Sequence, residues 1–247
     1  MKTIGVLLAL LAGLTLADCG SADEGSTLQV LAAASLTEPF TAMEKTYEQE
    51  HPGVDVVLSF DSSAILAEQL SQGLVADVLA TADQQTMDEA AAADVVAGTP
   101  EQFATNTLVI ATPAGNPGGI KSLDDLDGAT FAVCVPAAPC GDATQRLFEL
   151  DRFSGKPATE EENVKGVLTK VTSGEVDAGL VYASDAMSAS AKVDVVRAEN
   201  ASEVVTVDSI AAIEGSENSG AAKDWIDLVT GTKGQEVLGS HGFGPRP

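Results

Sequence analysis

The sequence has few of the side chains that enzymes use for catalysis. Histidine occurs only twice, at His51 and His241, and neither lies in a pattern typical of a catalytic residue. A nucleophile elbow, a zinc-protease helix, a phosphate-binding loop and the glycine pattern of dinucleotide-binding folds are also missing. We therefore predict that the chain is not an enzyme. A secreted hydrolase with a Ser-His-acid set is an alternative, but neither histidine fits its motif.

Positive charge is also scarce. The chain has 13 Lys and Arg against 37 Asp and Glu, which gives a formal net charge of -24. Such a surface repels nucleic acids and anionic membranes, so neither is expected as a partner. The charge is typical of a solubilising coat on an extracellular protein. It also means that local dipoles have to hold any bound anion against the field of the whole protein.

No apolar run is long enough to make a good membrane span. The run at residues 4–17 is too short, and it is typical of a signal peptide over residues 1–18. The segment LADCG at 16–20 resembles a bacterial lipobox, although Asp18 replaces the usual Gly or Ala. We therefore expect export, with Cys19 as the lipidated residue that anchors the chain to the membrane.

Cysteine is rare, with three residues in the chain. When Cys19 is set aside as the lipid site, Cys134 and Cys140 remain as a pair. In the oxidising compartment outside the cell, such a pair forms a disulfide by default. We predict that bridge, with two buried thiols as the alternative.

From Leu28 onward, short apolar strands alternate with amphipathic helices. This rhythm predicts an α/β fold with parallel-rich sheets covered by helices. We predict a tether at 19–27 and two lobes, one formed by 28–104 with 206–247 and the other by 105–205. The predicted strands are 28–34, 54–60, 77–81, 107–112, 130–135, 178–182, 193–197 and 204–213.

Several predicted helices begin directly after a strand. Ser35 lies three residues before Glu38, which is a capping-box spacing, and Thr159 with Glu162 repeats that spacing ahead of Val164. Each of these serines and threonines, taken alone, is explained as a plain helix cap. Together, converging helix N-termini present free N–H donors to an anion at the carboxyl ends of the strands. The starts are Ser35, Ser62-Ser63, Cys140-Gly141 and Val164.

An ordered set of motifs carries a resemblance to a known family. The segments are AAASLT at 32–37, SFDSS at 59–63, ADVL at 76–79 followed by Ala82-Asp83, and GLVYASD at 179–185. In this order and spacing they resemble the periplasmic molybdate-binding protein family. The resemblance implies a type II periplasmic-binding-protein fold that closes over one molybdate or tungstate ion. It also implies delivery to the permease of an ATP-binding cassette importer, with the binding protein acting as a monomer and without a cofactor.

The resemblance also implies a ligand set, which contacts the metal only through the oxygens of the anion. Ser35 and Ser63 would each give a hydroxyl and a backbone N–H, Cys140 and Val164 a backbone N–H, and Tyr182 its phenolic hydroxyl. A shell of donors without an acceptor suits a dianion that carries no proton. For Tyr182, the alternative is an aromatic residue in the core.

Two carboxylates leave alternatives open at this site. Asp61 lies two residues before Ser63, and Asp142 lies in the first turn of the Cys140 helix. We expect Asp61 to point to solvent and Asp142 to stabilise the helix dipole. If either faced the cleft, a sulfate or phosphate receptor on the same fold would become the alternative function. An adhesive lipoprotein is a third possibility, but it does not explain the converging helix starts.

Overall fold

The computed structural model describes residues 25–247. The predicted signal peptide at 1–18 and the predicted lipid site at Cys19 lie outside the described residues. Within residues 25–247 the chain forms nine strands and eight helices. The strands are β1 (Ser26–Ala33), β2 (Val54–Asp61), β3 (Val78–Thr81), β4 (Val96–Pro113), β5 (Phe131–Cys134), β6 (Thr159–Glu161), β7 (Ala178–Tyr182), β8 (Val193–Val196) and β9 (Val205–Ile213).

Helices cover the sheet and begin mostly where strands end. Their apolar residues recur at helical spacing, as Phe40, Met43 and Tyr47 do in the first helix, where all three are buried. The helices are α1 (Thr37–Glu50), α2 (Ser63–Ser71), α3 (Gln84–Ala92), α4 (Pro139–Asp151), α5 (Val164–Ser173), α6 (Ala183–Ser188), α7 (Ser219–Thr230) and α8 (Thr232–Ser240).

The strands follow the order β2-β1-β3-β9-β4-β7-β5-β6, with β8 paired to β4. β1 is parallel to β2 and β3, and β5 is parallel to β6 and β7. β9 runs antiparallel to β3 and β4, while β4 runs antiparallel to β7 and β8. The fold is therefore mixed α/β, with two parallel groups of strands joined through two long antiparallel strands.

β4 links the two groups because its two ends have different partners. Its residues 96–107 pair with β9, and residues 108–113 pair with β7 and β8. The chain leaves the first group along β4 and returns to it along β9. We keep residues 28–104 with 206–247 as the proposed first lobe, and 105–205 as the proposed second lobe.

Two groups of aromatic residues lie in the core, one in each proposed lobe. In the first lobe, Trp225 of α7 lies edge-on to both Phe40 and Tyr47, with ring centroids 5.6 and 5.5 Å apart. In the second lobe, Phe131 at the start of β5 lies edge-on to Phe148, at 6.3 Å. Edge-to-face pairs at these distances are favourable beyond the apolar area that they bury. Both aromatic groups belong to one continuous buried core that runs through the two groups of strands.

The structure differs from the predicted elements at several places, and the short strand β6 is one that was not predicted. β1 begins at Ser26, so the last two residues of the predicted tether belong to the sheet. β4 begins at Val96 instead of residue 107, because pairing with β9 and two register irregularities accommodate the weak strand formers of its first half. Helices α3 and α6 were not predicted, since their apolar spacing is short and irregular.

Candidate anion-binding site

A small cavity lies between the two proposed lobes, at the carboxyl ends of β1, β2, β5 and β7. All five residues of the predicted ligand set line this one cavity. Its walls carry no Lys, Arg or His, so only dipoles and hydroxyls can attract an anion there, and Asp61 is the one carboxylate of the lining. The lining residues are Ala33, Ala34, Ser35, Asp61, Ser62, Ser63, Ala82, Pro139, Cys140, Asn163, Val164 and Tyr182.

Ser35 lies in a single 3-10 turn, Ala34–Leu36, between β1 and α1. The predicted capping box with Glu38 is wrong, because α1 begins at Thr37 and Ser35 makes no capping hydrogen bond. Ser35 is 2% exposed, and its Oγ has no hydrogen-bond partner anywhere in residues 25–247. The hydroxyl is therefore free to donate into the cavity.

Ser63 is the first residue of α2, and Ser62 occupies the N-cap position. The backbone N–H of Ala82 donates to Ser63 Oγ at 3.0 Å. Because that oxygen already accepts a hydrogen bond, its own proton remains to be donated. The N–H of Ser63 lies in the first helical turn, where a helix has no internal acceptor for it. Ser63 thus offers the cavity two donors.

Cys140 is the second residue of α4, after Pro139 at the first position. A disulfide joins it to Cys134, the last residue of β5. The sulfur is therefore occupied, and Cys140 can offer a ligand only its backbone N–H. Gly141 allows α4 to start this close to the strand, since a Cβ there would lie 1.9 Å from the carbonyl oxygen of Val135.

Val164 is the first residue of α5, as predicted, but the cap differs from the prediction. Asn163 is the N-cap, and its Oδ1 accepts from the N–H of Gly166 at 3.1 Å. The predicted capping box of Thr159 and Glu162 is wrong, because Thr159 lies in β6. The pairing of β6 with β5 overrides the local capping pattern. Val164 still presents its N–H in a first helical turn.

Tyr182 ends β7 and is 2% exposed. Its Oη has no hydrogen-bond partner in the described part of the chain. Burial raises the pKa of Tyr182 well above its usual range, and the nearby acids Asp208, Asp83 and Asp185 raise it further. The phenol therefore keeps its proton and acts as a donor. Tyr182 lines the cavity and also belongs to the buried core.

Asp61 does not point to solvent as expected, since it lines the cavity. Its Oδ1 accepts from the N–H of Ser62 at 2.7 Å and from Asn163 Nδ2 at 2.9 Å. These donors offset its charge. Asp142 behaves as expected in the first turn of α4, where it lies 3.7 Å from Arg146.

Sequence reasoning missed the buried acids around Tyr182. Asp208 of β9 is 1% exposed, and neither carboxyl oxygen has a partner within the described residues. Burial raises the pKa of Asp208 well above its usual range, with Asp83 and Asp185 adding to the rise. Burial also raises the pKa of Asp185 to about 6, although the charge of Lys165 opposes this. A single aspartate in a strand gives no sequence signal for this behaviour.

The described residues offer neither a metal-ion cluster nor a membrane-spanning helix. No group of three or more His, Cys, Asp and Glu side chains in residues 25–247 is placed to hold a metal ion. Likewise, none of the helices in that range is long and apolar enough to cross a membrane.

Comparisons with known proteins agree with this geometry. A family model described as bacterial extracellular solute-binding protein matches residues 28–244. The molybdate-binding protein ModA of Mycobacterium tuberculosis (strain H37Rv) is 40% identical over 258 residues, covering 98% of this chain and 99% of the relative. ModA of Escherichia coli (strain K12) is 34% identical over 248 residues, covering 94% and 95%.

A solved structure shows the same fold. The periplasmic molybdate-binding protein of Azotobacter vinelandii superposes with a TM-score of 0.75 at 18% identity, covering 87% of this chain and 98% of that one. The fold is thus the type II fold of periplasmic binding proteins, as predicted. From the family match and the two relatives, the chain belongs to the bacterial extracellular solute-binding proteins and, among them, to the family of molybdate-binding proteins.

Proposed function

We propose that the chain captures molybdate outside the membrane and delivers it to the permease of an ATP-binding cassette importer. The observation that carries the proposal is a pair of buried hydroxyls, Ser35 Oγ and Tyr182 Oη. Both line one cavity, and neither has a hydrogen-bond partner within residues 25–247. Buried polar groups are nearly always paired, so a ligand that accepts hydrogen bonds supplies the missing partners. The names of the relatives support molybdate as that ligand.

The donor set suits a tetrahedral dianion without protons. Ser35 and Ser63 each give a hydroxyl and an N–H, Cys140 and Val164 give an N–H, and Tyr182 gives its phenol. These seven donors are neutral, and the first turns of α2, α4 and α5 add the positive ends of their helix dipoles. Tungstate has the same shape and charge and is proposed as a second ligand. Sulfate is smaller and makes poorer contacts with the same donors.

Hydrogen phosphate is the second candidate, because Asp61 lines the cavity. A carboxylate facing the ligand can accept the proton of hydrogen phosphate, which a shell of donors leaves unpaired. Against this, Asp61 Oδ1 already accepts two hydrogen bonds. The Asp61→Asn variant separates the candidates: phosphate binding would weaken strongly, while molybdate binding would be kept or improved by the lost negative charge.

Thermal unfolding with four oxyanions tests the proposal. A ligand that binds only the folded state adds about 2.7 kcal/mol of stability at roughly a hundredfold excess over its Kd, or about 5–10 °C in the midpoint for a chain of this size. Molybdate and tungstate are expected to give this shift, sulfate far less and phosphate almost none. A larger shift with phosphate than with molybdate would overturn the ligand assignment.

The proposal includes an exported, lipid-anchored monomer that catalyses no reaction. It rests on the predicted signal peptide at 1–18 and lipid site at Cys19, and on membership of an extracellular solute-binding family. Labelled palmitate is expected to enter the wild type and not the Cys19→Ala variant. A wild type without label would indicate secretion without an anchor.

A further inference from the structure

The first turn of α5 touches the first lobe on both sides of Val164. Asn163 Nδ2 donates to Asp61 Oδ1 at 2.9 Å, at the end of β2. Lys165 Nζ donates to both carboxylate oxygens of Glu38, at 2.8 and 2.7 Å, in the first turn of α1. The residue between these two contacts is the one whose N–H faces the cavity.

Lys165 also pairs with an acid of its own proposed lobe. Its Nζ lies 3.0 Å from Asp185 Oδ1 of α6, within the proposed second lobe, and Asp185 is fully buried. Burial opposes the charge of Lys165, but Asp185 and Glu38 outweigh it and raise the pKa of the lysine. A side chain that is already ordered and charged loses little further entropy when it pairs with Glu38.

We infer that Glu38, Asn163 and Lys165 are positioning residues that form an interlobe clasp around Val164. Here the clasp denotes the contacts Asn163–Asp61 and Lys165–Glu38. It holds the start of α5 against the first lobe and so fixes the Val164 N–H at the anion. This role rests on the proposed function, because it assigns the contacts to retention of the bound oxyanion.

The clasp and simple electrostatics predict opposite changes in anion affinity when Glu38 loses its charge. Removing the negative charge of Glu38 would, by Coulomb attraction alone, strengthen the binding of a dianion. If Glu38 instead holds the lobes together, its removal speeds opening and weakens binding. Truncation of one partner of a hydrogen-bonded charge pair acts mainly on the dissociation rate. The direction of the change therefore distinguishes the two roles.

Glu38→Gln is the cleanest perturbation, because it removes the charge pair and one of the two acceptors across the cleft and leaves the Lys165–Asp185 pair intact. Glu44→Gln is the matched control, since it makes the same charge change on α1, away from the clasp. Dissociation is measured by chasing bound radiolabelled molybdate with unlabelled molybdate. We expect dissociation about threefold to tenfold faster in Glu38→Gln and an unchanged association rate. Glu44→Gln is expected to match the wild type.

A double-variant cycle and a measurement without ligand complete the test. In a Lys165→Met background, Glu38→Gln should have no further effect on dissociation. Without ligand, small-angle scattering should give a larger radius of gyration for Glu38→Gln than for the wild type. Equal dissociation rates in Glu38→Gln and Glu44→Gln would overturn the clasp. If the wild type binds no molybdate, the proposed function fails. The clasp is then tested by scattering alone, and equal radii of gyration for Glu38→Gln and the wild type would overturn it.

Discussion

A substitution at Tyr182 is expected to change ligand affinity without lowering the stability of the ligand-free protein. The Tyr182 hydroxyl is buried and has no hydrogen bond of normal geometry within residues 25–247, so removing it costs the ligand-free protein only a weak polar contact with Thr206. In the proposed complex the same hydroxyl donates to the oxyanion. The Tyr182→Phe substitution is therefore expected to weaken binding while leaving the stability of the ligand-free protein unchanged or higher.

The expected sizes follow from the burial of that hydroxyl. A hydrogen bond to a charged group contributes about 1.5–3 kcal/mol, so molybdate affinity should fall roughly tenfold to a hundredfold. An unpaired buried hydroxyl costs roughly 1–3 kcal/mol, and its removal sets the upper limit for the gain in unfolding free energy without ligand. Titration calorimetry with molybdate measures the first quantity. Urea unfolding without ligand measures the second.

The chain offers a matched control, because it has two tyrosines and the other one is structural. Tyr47 Oη donates to the carbonyl oxygen of Ala221 at 3.0 Å, far from the cavity. Tyr47→Phe should therefore lose about 1 kcal/mol of stability and keep its molybdate affinity. If Tyr182→Phe instead lost stability without ligand and kept its affinity, Tyr182 would be a core aromatic and the ligand set would be wrong.

Three further predictions concern the cavity wall, a buried acid and the disulfide. Ser63→Ala should lower molybdate affinity by about 1–3 kcal/mol in calorimetry, whereas Ser62→Ala should change it little; equal losses would contradict the assigned register. Because the pKa of Asp208 is raised on folding, the stability given by its neutral carboxyl is complete below the unfolded pKa and is lost as pH rises through the folded pKa. Urea midpoints should therefore favour Asp208→Asn over the wild type increasingly as the pH rises above about 4, the unfolded pKa of Asp, and a constant difference would contradict this reasoning. Replacing Cys134 and Cys140 together by Ser should lower the unfolding free energy by about 2 kcal/mol. Molybdate binding should be kept, since only a backbone N–H is assigned to Cys140. A loss of binding equal to that of Ser63→Ala would show that the bridge positions the ligand.

The sequence was sufficient to predict the elements whose signals are local. The apolar strands and the helices that begin after them follow from short motifs. The five residues that the family resemblance proposes as ligands lie together around one cavity, and their role as ligands stays a prediction. Val164 shows the limit of this reasoning. Its place in a first helical turn was predicted, but the cap is Asn163 instead of the Thr159–Glu162 pair. The strand pairing that decides between these caps is a long-range contact, and local spacing carries no information about it.

Residues whose role comes from distant contacts were not predictable in this way. Lys165 and Glu38 are 127 positions apart, and only the packing of α5 against α1 makes them partners. Asp208 occupies an ordinary strand position, and its raised pKa depends on the exclusion of water and on two acids from other elements. The first half of β4 was missed for the same reason, because pairing with β9 outweighs its weak strand propensity.

The buried acids bear on how a chain of net charge -24 can hold a dianion. Burial favours the neutral form of Asp208 by raising its pKa well above its usual range. Asp61, the one carboxylate that lines the cavity, accepts hydrogen bonds from the Ser62 N–H and from Asn163 Nδ2. Hydrogen-bond donors of the cavity would act on the ligand from about 3 Å. The repulsion between the ligand and surface carboxylates is screened by salt beyond roughly 8–10 Å. The acidic coat and the anion site are therefore compatible, because the donors of the cavity act directly on the ligand, whereas the distant surface charges are screened.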